Sequence, residues 1–334
     1  VVYDSLGRVL ANRRTTNSVT KVFSYQYNLD GSVWKITYPT GRTITYSYNA
    51  AARALSAVDT AAGVNYAINA GYAPHGALAS LQNGANLVST FFYNNRLQPC
   101  RISLKSSGSA PANCASGTLG NVLDFAYSFD TDPGPGGANN GNVMSWAAAG
   151  EQTFNRSYTY DELNRLKTMA APGETCSGLS WSYDGWANRT HQTVTGGTCG
   201  QSWLTINIKN QIADTGFQYD AAGNMIAEPG KTYQYDAENR MKSVNSGGGS
   251  NPEYTEFTPS LPGGRGDADP SAALRAGGKR IRKKIGTTLS EYVYNAAGQV
   301  VAERKSTNGG SSWAWDRGYV YLGSQLLALF HSTR

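Results

Sequence analysis

The chain has no run approaching the roughly 20 consecutive apolar residues of a membrane-spanning helix. Its longest candidate, LLALF from Leu326 to Phe330, is a buried strand at most. Charge is scarce too, at 16 per cent of residues, which removes the charged surface that a helical protein of this size carries. Histidine is limited to His75, His191 and His331. His75 sits in a degenerate turn, His191 in a strand and His331 among the last few residues, so each reads as structural or solvated. Neither His-Glu-x-x-His, Gly-x-Ser-x-Gly, a P-loop nor the dinucleotide Gly pattern occurs. The expectation is a non-enzymatic chain with no cofactor and no metal site. An initiator Met and a signal peptide are also missing, and the sequence opens with VVYD. It therefore reads as a piece of a larger polypeptide whose targeting segment would lie upstream.

What is present is tyrosine and glycine, 21 and 38 residues respectively, a composition of strand and turn formers. From Tyr27 to Asn49 the sequence is YNLDGSVWKITYPTGRTITYSYN. Phe23, Tyr25 and Tyr27 share one parity and Ser24, Gln26 and Asn28 the other, the pattern of a half-buried strand. Trp34, Ile36 and Tyr38 form the next such set, and Ile44, Tyr46 and Tyr48 the one after, with Thr43, Thr45 and Ser47 opposite. Tight turns between them predict a meander.

The unit recurs. Tyr, then Asp or Asn, two loosely specified residues, Gly or Asn, and an apolar residue shortly after, appear as YDSLGRV at Tyr3, YNLDGSV at Tyr27, YDELNRL at Tyr160, YDGWANR at Tyr183, YDAAGNM at Tyr219, YDAENRM at Tyr235 and YNAAGQV at Tyr294. Weaker copies start at Tyr48, Tyr72, Tyr93 (a shortened YNNRL) and Tyr321. Tyr3, Tyr27, Tyr48, Tyr72 and Tyr93 advance in steps of 24, 21, 24 and 21 residues, enough for two short strands and their turns. Asp4, Asn28, Asp161, Asp184, Asp220, Asp236 and Asn295 are suited to begin a turn by bonding their own backbone, and Gly7, Gly31, Gly223 and Gly298 to supply positive φ. The tyrosines add an apolar body for the neighbouring repeat and a hydroxyl that reaches water or a turn carbonyl. Residues that recur because every turn needs them argue against a single catalytic place.

These motifs resemble the YD repeats of the RHS family, which includes bacterial polymorphic-toxin shells, shell subunits of insecticidal toxin complexes, and teneurins. The similarity runs from Tyr3 to about Phe330. It implies an all-β fold, an antiparallel β-hairpin repeat array forming an extended, curled sheet that is part of an RHS-type shell around a carried polypeptide. The Pro- and Asp-containing cleavage element and the toxin domain that follow the repeats in shell members are not found in the sequence, so self-cleavage and toxin activity do not carry over.

One array over 1–334 is expected, with loop insertions near 129–143 (FDTDPGPGGANNGNV) and 246–279. The second insertion holds Arg265-Gly266-Asp267 and Asp269, fragments of an adhesive tripeptide and of an oxygen-ligand loop that read as flexible connector. The net charge of +6 peaks in KRIRKK at Lys279–Lys284. Alternating parity there, Ile281, Lys283 and Ile285 against Arg280, Arg282 and Lys284, points to an amphipathic strand with a solvated side and away from nucleic acid.

Four cysteines bracket two Gly/Ser-rich stretches, and pairing Cys100 with Cys114 and Cys176 with Cys199 is the expected connectivity among three possible ones. Bridges imply an oxidising compartment, here a secreted or cell-surface location such as the bacterial exterior or periplasm. Expected partners are the rest of a larger RHS polypeptide and its enclosed cargo. An alternative reading is a glycan or cell-wall binding module, with Trp313 and Trp315, which share one parity, as an aromatic platform for surface glycans.

Overall fold

The computed structural model describes residues 1–16, 19–84, 86–130, 138–245, 252–256, 280–295, 298–322 and 325–331. Among them there is no helix; strands alternate with tight turns throughout. The chain forms two compact units, one made of Val1–Ile68 with Gly216–Arg334, the other of Asn69–Thr215.

In the first unit, β1 (Val2–Tyr3), β2 (Val9–Thr16), β3 (Val19–Tyr27), β4 (Val33–Thr37), β5 (Thr43–Tyr48), β6 (Ala54–Asp59) and β7 (Val64–Tyr72) pair antiparallel in sequence order. The division between the units falls within β7. The second unit is a meander of β8 (Leu78–Asn83), β9 (Val88–Tyr93), β10 (Pro99–Lys105), β11 (Leu123–Ser128), β12 (Ser145–Gly150), β13 (Phe154–Tyr160), β14 (Leu166–Ala170), β15 (Gly178–Tyr183), β16 (Arg189–Gly196) and β17 (Ser202–Trp203). The first unit then resumes with β18 (Gln218–Tyr219), β19 (Met225–Glu228), β20 (Lys231–Tyr235), β21 (Met241–Asn245), β22 (Pro252–Glu256), β23 (Arg280–Ile285), β24 (Thr288–Tyr294), β25 (Val300–Ser306), β26 (Ala314–Leu322) and β27 (Gln325–His331), again a meander.

The core of the first unit lies between its two meanders. Phe23, Tyr25, Tyr38, Ile44 and Tyr46 are buried from the N-terminal side, and Leu289, Val293, Val301, Ala302 and Val320 from the C-terminal side. Tyr38 Oη donates to the carbonyl of Tyr319 at 3.2 Å, joining the two across that core. The second unit relies more on half-buried aromatics. Trp146 meets Phe154 edge-on at 4.8 Å and Phe125 at 5.3 Å, and stacks on Tyr127 at 5.9 Å. These rings come from neighbouring strands, because Tyr127 faces Trp146 in the ladder and Ala148 separates Phe125 from Phe154.

Parity alone misplaces three features. Trp34 shares a parity with Ile36 and the buried Tyr38, yet remains 43% exposed near the start of β4, next to the turn. LLALF lies in a strand, but Leu326 and Leu329 are exposed, since β27 pairs only with β26 among the described residues. The side of β23 expected to be solvated is half-buried at Arg282 and Lys284, because acids stand opposite: Arg282 meets Glu291 at 2.7 Å and Lys284 meets Glu253 at 3.1 Å. Residues 131–137, in the middle of the first insertion, and 246–251 and 257–279 of the second, with Arg265-Gly266-Asp267 and Asp269, lie outside the described residues.

Candidate functional site

The feature that recurs is a joint, and its chemistry starts with one carboxylate. Asp4 Oδ1 accepts from the backbone N–H groups of Leu6 at 2.9 Å and Arg8 at 2.8 Å, while Oδ2 accepts from Arg8 Nε at 2.7 Å. The backbone closes around it, Asp4 N–H donating to Arg8 O and Gly7 N–H to Asp4 O. This is a type I turn followed by a left-handed residue, Gly7 at φ 77°. A Cβ on Gly7 would meet nothing within 4 Å, so the residue is there for its backbone angle and not for space. The extra residue displaces the ladder register at the motif tyrosine, as happens at Tyr3, Tyr27, Tyr48, Tyr160, Tyr183, Tyr219, Tyr235 and Tyr294.

The next repeat completes the joint. Arg8 lies 4.7 Å over the ring of Tyr27 and its Nη1 donates to Asn28 O at 3.2 Å, while Tyr27 Oη donates to Val9 O at 2.8 Å. The same set recurs around Asp161 in the other unit. Arg165 Nε reaches Asp161 Oδ2 at 2.6 Å, its guanidinium lies 4.8 Å over Tyr183 and donates to Asp184 O at 3.2 Å, and Tyr183 Oη donates to Leu166 O at 2.7 Å. Further tyrosine hydroxyls make the equivalent bond: Tyr48 to Val33 O, Tyr93 to Leu78 O, Tyr160 to Val143 O and Tyr321 to Val300 O. Tyr294 Oη donates to Arg280 O. An arginine therefore fills the gap between one turn and the next tyrosine.

Where Arg is absent an amide takes its place. Asn188 Nδ2 donates to Asp184 at 2.8 Å and Asn224 Nδ2 to Asp220 at 2.9 Å, and in the asparagine turns Asn28 bonds Ser32 and Asn295 bonds Gln299. Asp236 pairs with Arg240 Nε at 2.9 Å. Gly31, Gly223 and Gly298 hold the left-handed position of their turns. Tyr219 and Tyr235 end β18 and β20 half-buried, and Tyr3 ends β1 at an exposed position.

The electrostatics keep these joints in one ionisation state. For Asp161 the Arg165 backbone N–H is the largest influence, and with the guanidinium it outweighs burial and holds the carboxyl below the usual range. At Asp236 the guanidinium of Arg240 leads, and at Asp184 and Asp220 the side-chain amides of Asn188 and Asn224. At Asp4 burial opposes the charge, but the bonds from Arg8 and Leu6 still bring its pKa down. Burial raises Tyr27, Tyr93, Tyr160 and Tyr321, which keeps their hydroxyls protonated as donors.

Some joints escape the Tyr-based pattern. Asn83 with Leu87, and Asn207 with Gln211, close the same turn without a leading Tyr, their left-handed positions filled by Asn86 and Asn210. The pattern asparagine, two residues, asparagine, then an apolar residue one or two positions on would have found them. YNNRL at Tyr93 is not shortened: Asn94 N–H donates to Gln98 O, and Leu97 itself occupies the left-handed position at φ 63°.

Cys100 is joined to Cys114 (Cα–Cα 5.5 Å) and Cys176 to Cys199 (4.9 Å). Beside the first bridge, the buried Arg101 donates to Asp124 at 2.9 Å and to the carbonyls of Ser116 and Thr118, and Gly120 N–H donates to Asp124 Oδ2. Bridge and ion pair together pin the long excursion between β10 and β11.

Trp313 and Trp315 are half-buried, and guanidinium groups occupy their faces: Arg282 and Arg304 over Trp313 at 5.7 and 5.5 Å, and Arg304 over Trp315 at 5.7 Å. These arginines surround the buried Glu291, which also pairs with Lys21 at 2.9 Å across the core of the first unit. Burial is the main influence lowering the pKa of Lys21, and Arg304 and Arg282 act in the same direction. Among the described residues no three His, Cys, Asp or Glu side chains group to hold a metal. His75 packs edge-on against Tyr93 at 4.6 Å and His191 bonds Thr190.

No protein-family model matches the chain. Over 142 residues it is 27% identical to the tRNA3(Ser)-specific nuclease WapA of Bacillus spizizenii and, over a stretch of the same length, 26% identical to the tRNA nuclease WapA of Bacillus subtilis. Each match covers 41% of this chain and 5% of the relative. Among solved structures, a chain of the Photorhabdus luminescens Tc holotoxin pore superposes with a TM-score of 0.61 over 90% of this chain, and one of the TcdB2-TccC3-Cdc42 crystal structure with 0.67 over 99%. Both are 12% identical, and the chain spans 15% and 18% of them. The likeness is one of fold, an all-β antiparallel hairpin array.

Proposed function

We propose that this chain is a non-enzymatic structural segment of a secreted or surface RHS protein, whose work is to enclose, carry or display another polypeptide. The observation that carries this reading is the joint: in both units the distinctive side chains of the motif are spent on fastening one repeat to the next. The fold likeness to chains of Tc toxin structures supports it. The nuclease activity named for the WapA relatives is not carried over, because the match reaches 5% of their length. The disulfides favour an oxidising location. Among the described residues β27 pairs with β26 alone, an open edge that suits pairing with another strand.

Limited proteolysis of the full-length polypeptide tests this reading. The carried segment should survive while the array is native and be cut once the array is unfolded by mild denaturant. Cleavage of that segment at the rate of the free peptide, with the array still folded, would refute enclosure.

A further inference from the structure

Among the described residues the charges around Glu291 do not balance. Lys21 Nζ lies 2.9 Å from Oε2, Arg282 Nη2 2.7 Å from Oε1, and Arg304 Nη1 only 3.7 Å from Oε2, so three cations share one carboxylate. Both oxygens already have a close donor, and Arg304 is left over. Its side chain is 9% exposed, and its Nη1 is buried with no hydrogen-bond acceptor among the described residues. A guanidinium cannot shed its proton to escape this position. The indole faces of Trp313 and Trp315 offer a diffuse attraction but no lone pair in the plane of the N–H groups. The contrast within the same chain is Arg101, also buried, whose guanidinium meets Asp124 and the carbonyls of Ser116 and Thr118.

We propose that this cluster is an oxyanion-binding site, in which Arg304 and Arg282, walled by Trp313 and Trp315, take a small sulfate, phosphate or carboxylate group. Oxygens in the guanidinium plane are what Arg304 lacks, and charge-assisted bonds to them are the strongest available to it. Entry is from the side where Arg282, at 28% side-chain exposure, and the half-buried Trp313 still meet solvent. The site lies within the first unit and does not depend on the shell reading.

Isothermal titration of the 334-residue chain with sodium sulfate, acetate and glucuronate, at ionic strength held constant with sodium chloride, tests the site. Saturable binding of one anion per chain is expected, weakened roughly tenfold or more in Arg304→Met and also weakened in Arg282→Met. Lys35→Met, which removes an ammonium lying over Trp34, should bind as the parent does. Binding of sulfate alone would assign a tetrahedral oxyanion, and binding of acetate or glucuronate a carboxylate. No saturable binding of any of the three, or binding unchanged in Arg304→Met, overturns the proposal. Should Arg304→Met fail to fold, unchanged affinity in folded Arg282→Met overturns it equally.

Discussion

The Tyr27 hydroxyl donates to the carbonyl of Val9, a residue of the preceding repeat, at 2.8 Å while Arg8 is held against the tyrosine ring at 4.7 Å. One side chain thereby fastens two repeats, by its edge and by its face. Stability in such an array is close to a sum of nearest-neighbour terms. Tyr27→Phe keeps the ring and removes the hydroxyl, so it should cost about 0.5–1.5 kcal/mol in urea unfolding. Tyr183→Phe, in the other unit, should cost a similar amount. A change in either below the error of the fit would show that the hydroxyl bond contributes nothing net.

Leu97 holds a left-handed backbone angle, φ 63°, that glycine occupies at Gly7 and Gly31, and it is 57% exposed. Little burial is lost by removing its side chain, while the strain of a Cβ in that region amounts to roughly 1–2 kcal/mol. Glycine also frees the unfolded chain, which offsets part of the gain. Leu97→Gly should still raise stability, by about 0.5–1 kcal/mol, measured by the same unfolding curves. Gly7→Leu should do the reverse.

The depressed carboxyls predict how the joints respond to acid. Asp161 has its pKa lowered in the folded state by the Arg165 N–H and guanidinium. Its contribution is therefore present above the unfolded value of roughly 3.9 and is lost as pH falls through the lower folded value. Asp161→Asn keeps an oxygen for the Leu163 and Arg165 N–H groups but not the charge. The stability gap between the two proteins should be constant near neutrality and close in the acid range below the unfolded pKa. A gap independent of pH down to full protonation would show that the charge is irrelevant to the joint.

The joint was legible in the sequence because it is local: Asp161, Asn164 and Arg165 lie within five consecutive residues and their roles follow from turn chemistry. The parity of β3 and β5 likewise placed Phe23, Tyr25, Ile44 and Tyr46 in the core. What stayed hidden is long-range. Nothing in the neighbourhood of Lys21 announces Glu291, 270 residues away, or tells that Arg282 faces an acid and not water. Nor does the sequence around Arg101 show that Ser116 and Thr118, beyond the Cys100–Cys114 bridge, return over it. The turns at Asn83 and Asn207 were missed for a different reason, because the backbone needs only the asparagine, and the tyrosine belongs to the fastening.

The same buried cluster makes an asymmetric prediction about its members. Glu291→Gln removes the carboxylate that Lys21, Arg282 and Arg304 share and leaves buried positive charge without compensation. Breaking a buried pair in that sense costs about 3–5 kcal/mol. Lys21→Met leaves Glu291 with both arginines and also relieves a charge whose pKa burial has already lowered. Its cost in urea unfolding should be clearly the smaller. Equal costs would mean that the pair acts alone and the arginines are spectators.

The last strand bears on how the isolated chain behaves. Among the described residues β27 pairs with β26 and with no strand beyond it, and Leu326 and Leu329 are exposed at 49% and 43%. A strand of seven residues with one unpaired side and exposed leucines is a template for another strand. The purified chain should therefore self-associate with rising concentration. Replacing both leucines by lysine puts like charges on the edge, which is how natural sheets discourage such pairing. Sedimentation velocity across a concentration series should show the association constant falling in Leu326→Lys/Leu329→Lys while the circular dichroism of the sheet is retained. If the parent remains monomeric at the highest concentration, its edges are self-sufficient, and the view of this array as a segment that needs neighbours fails with it.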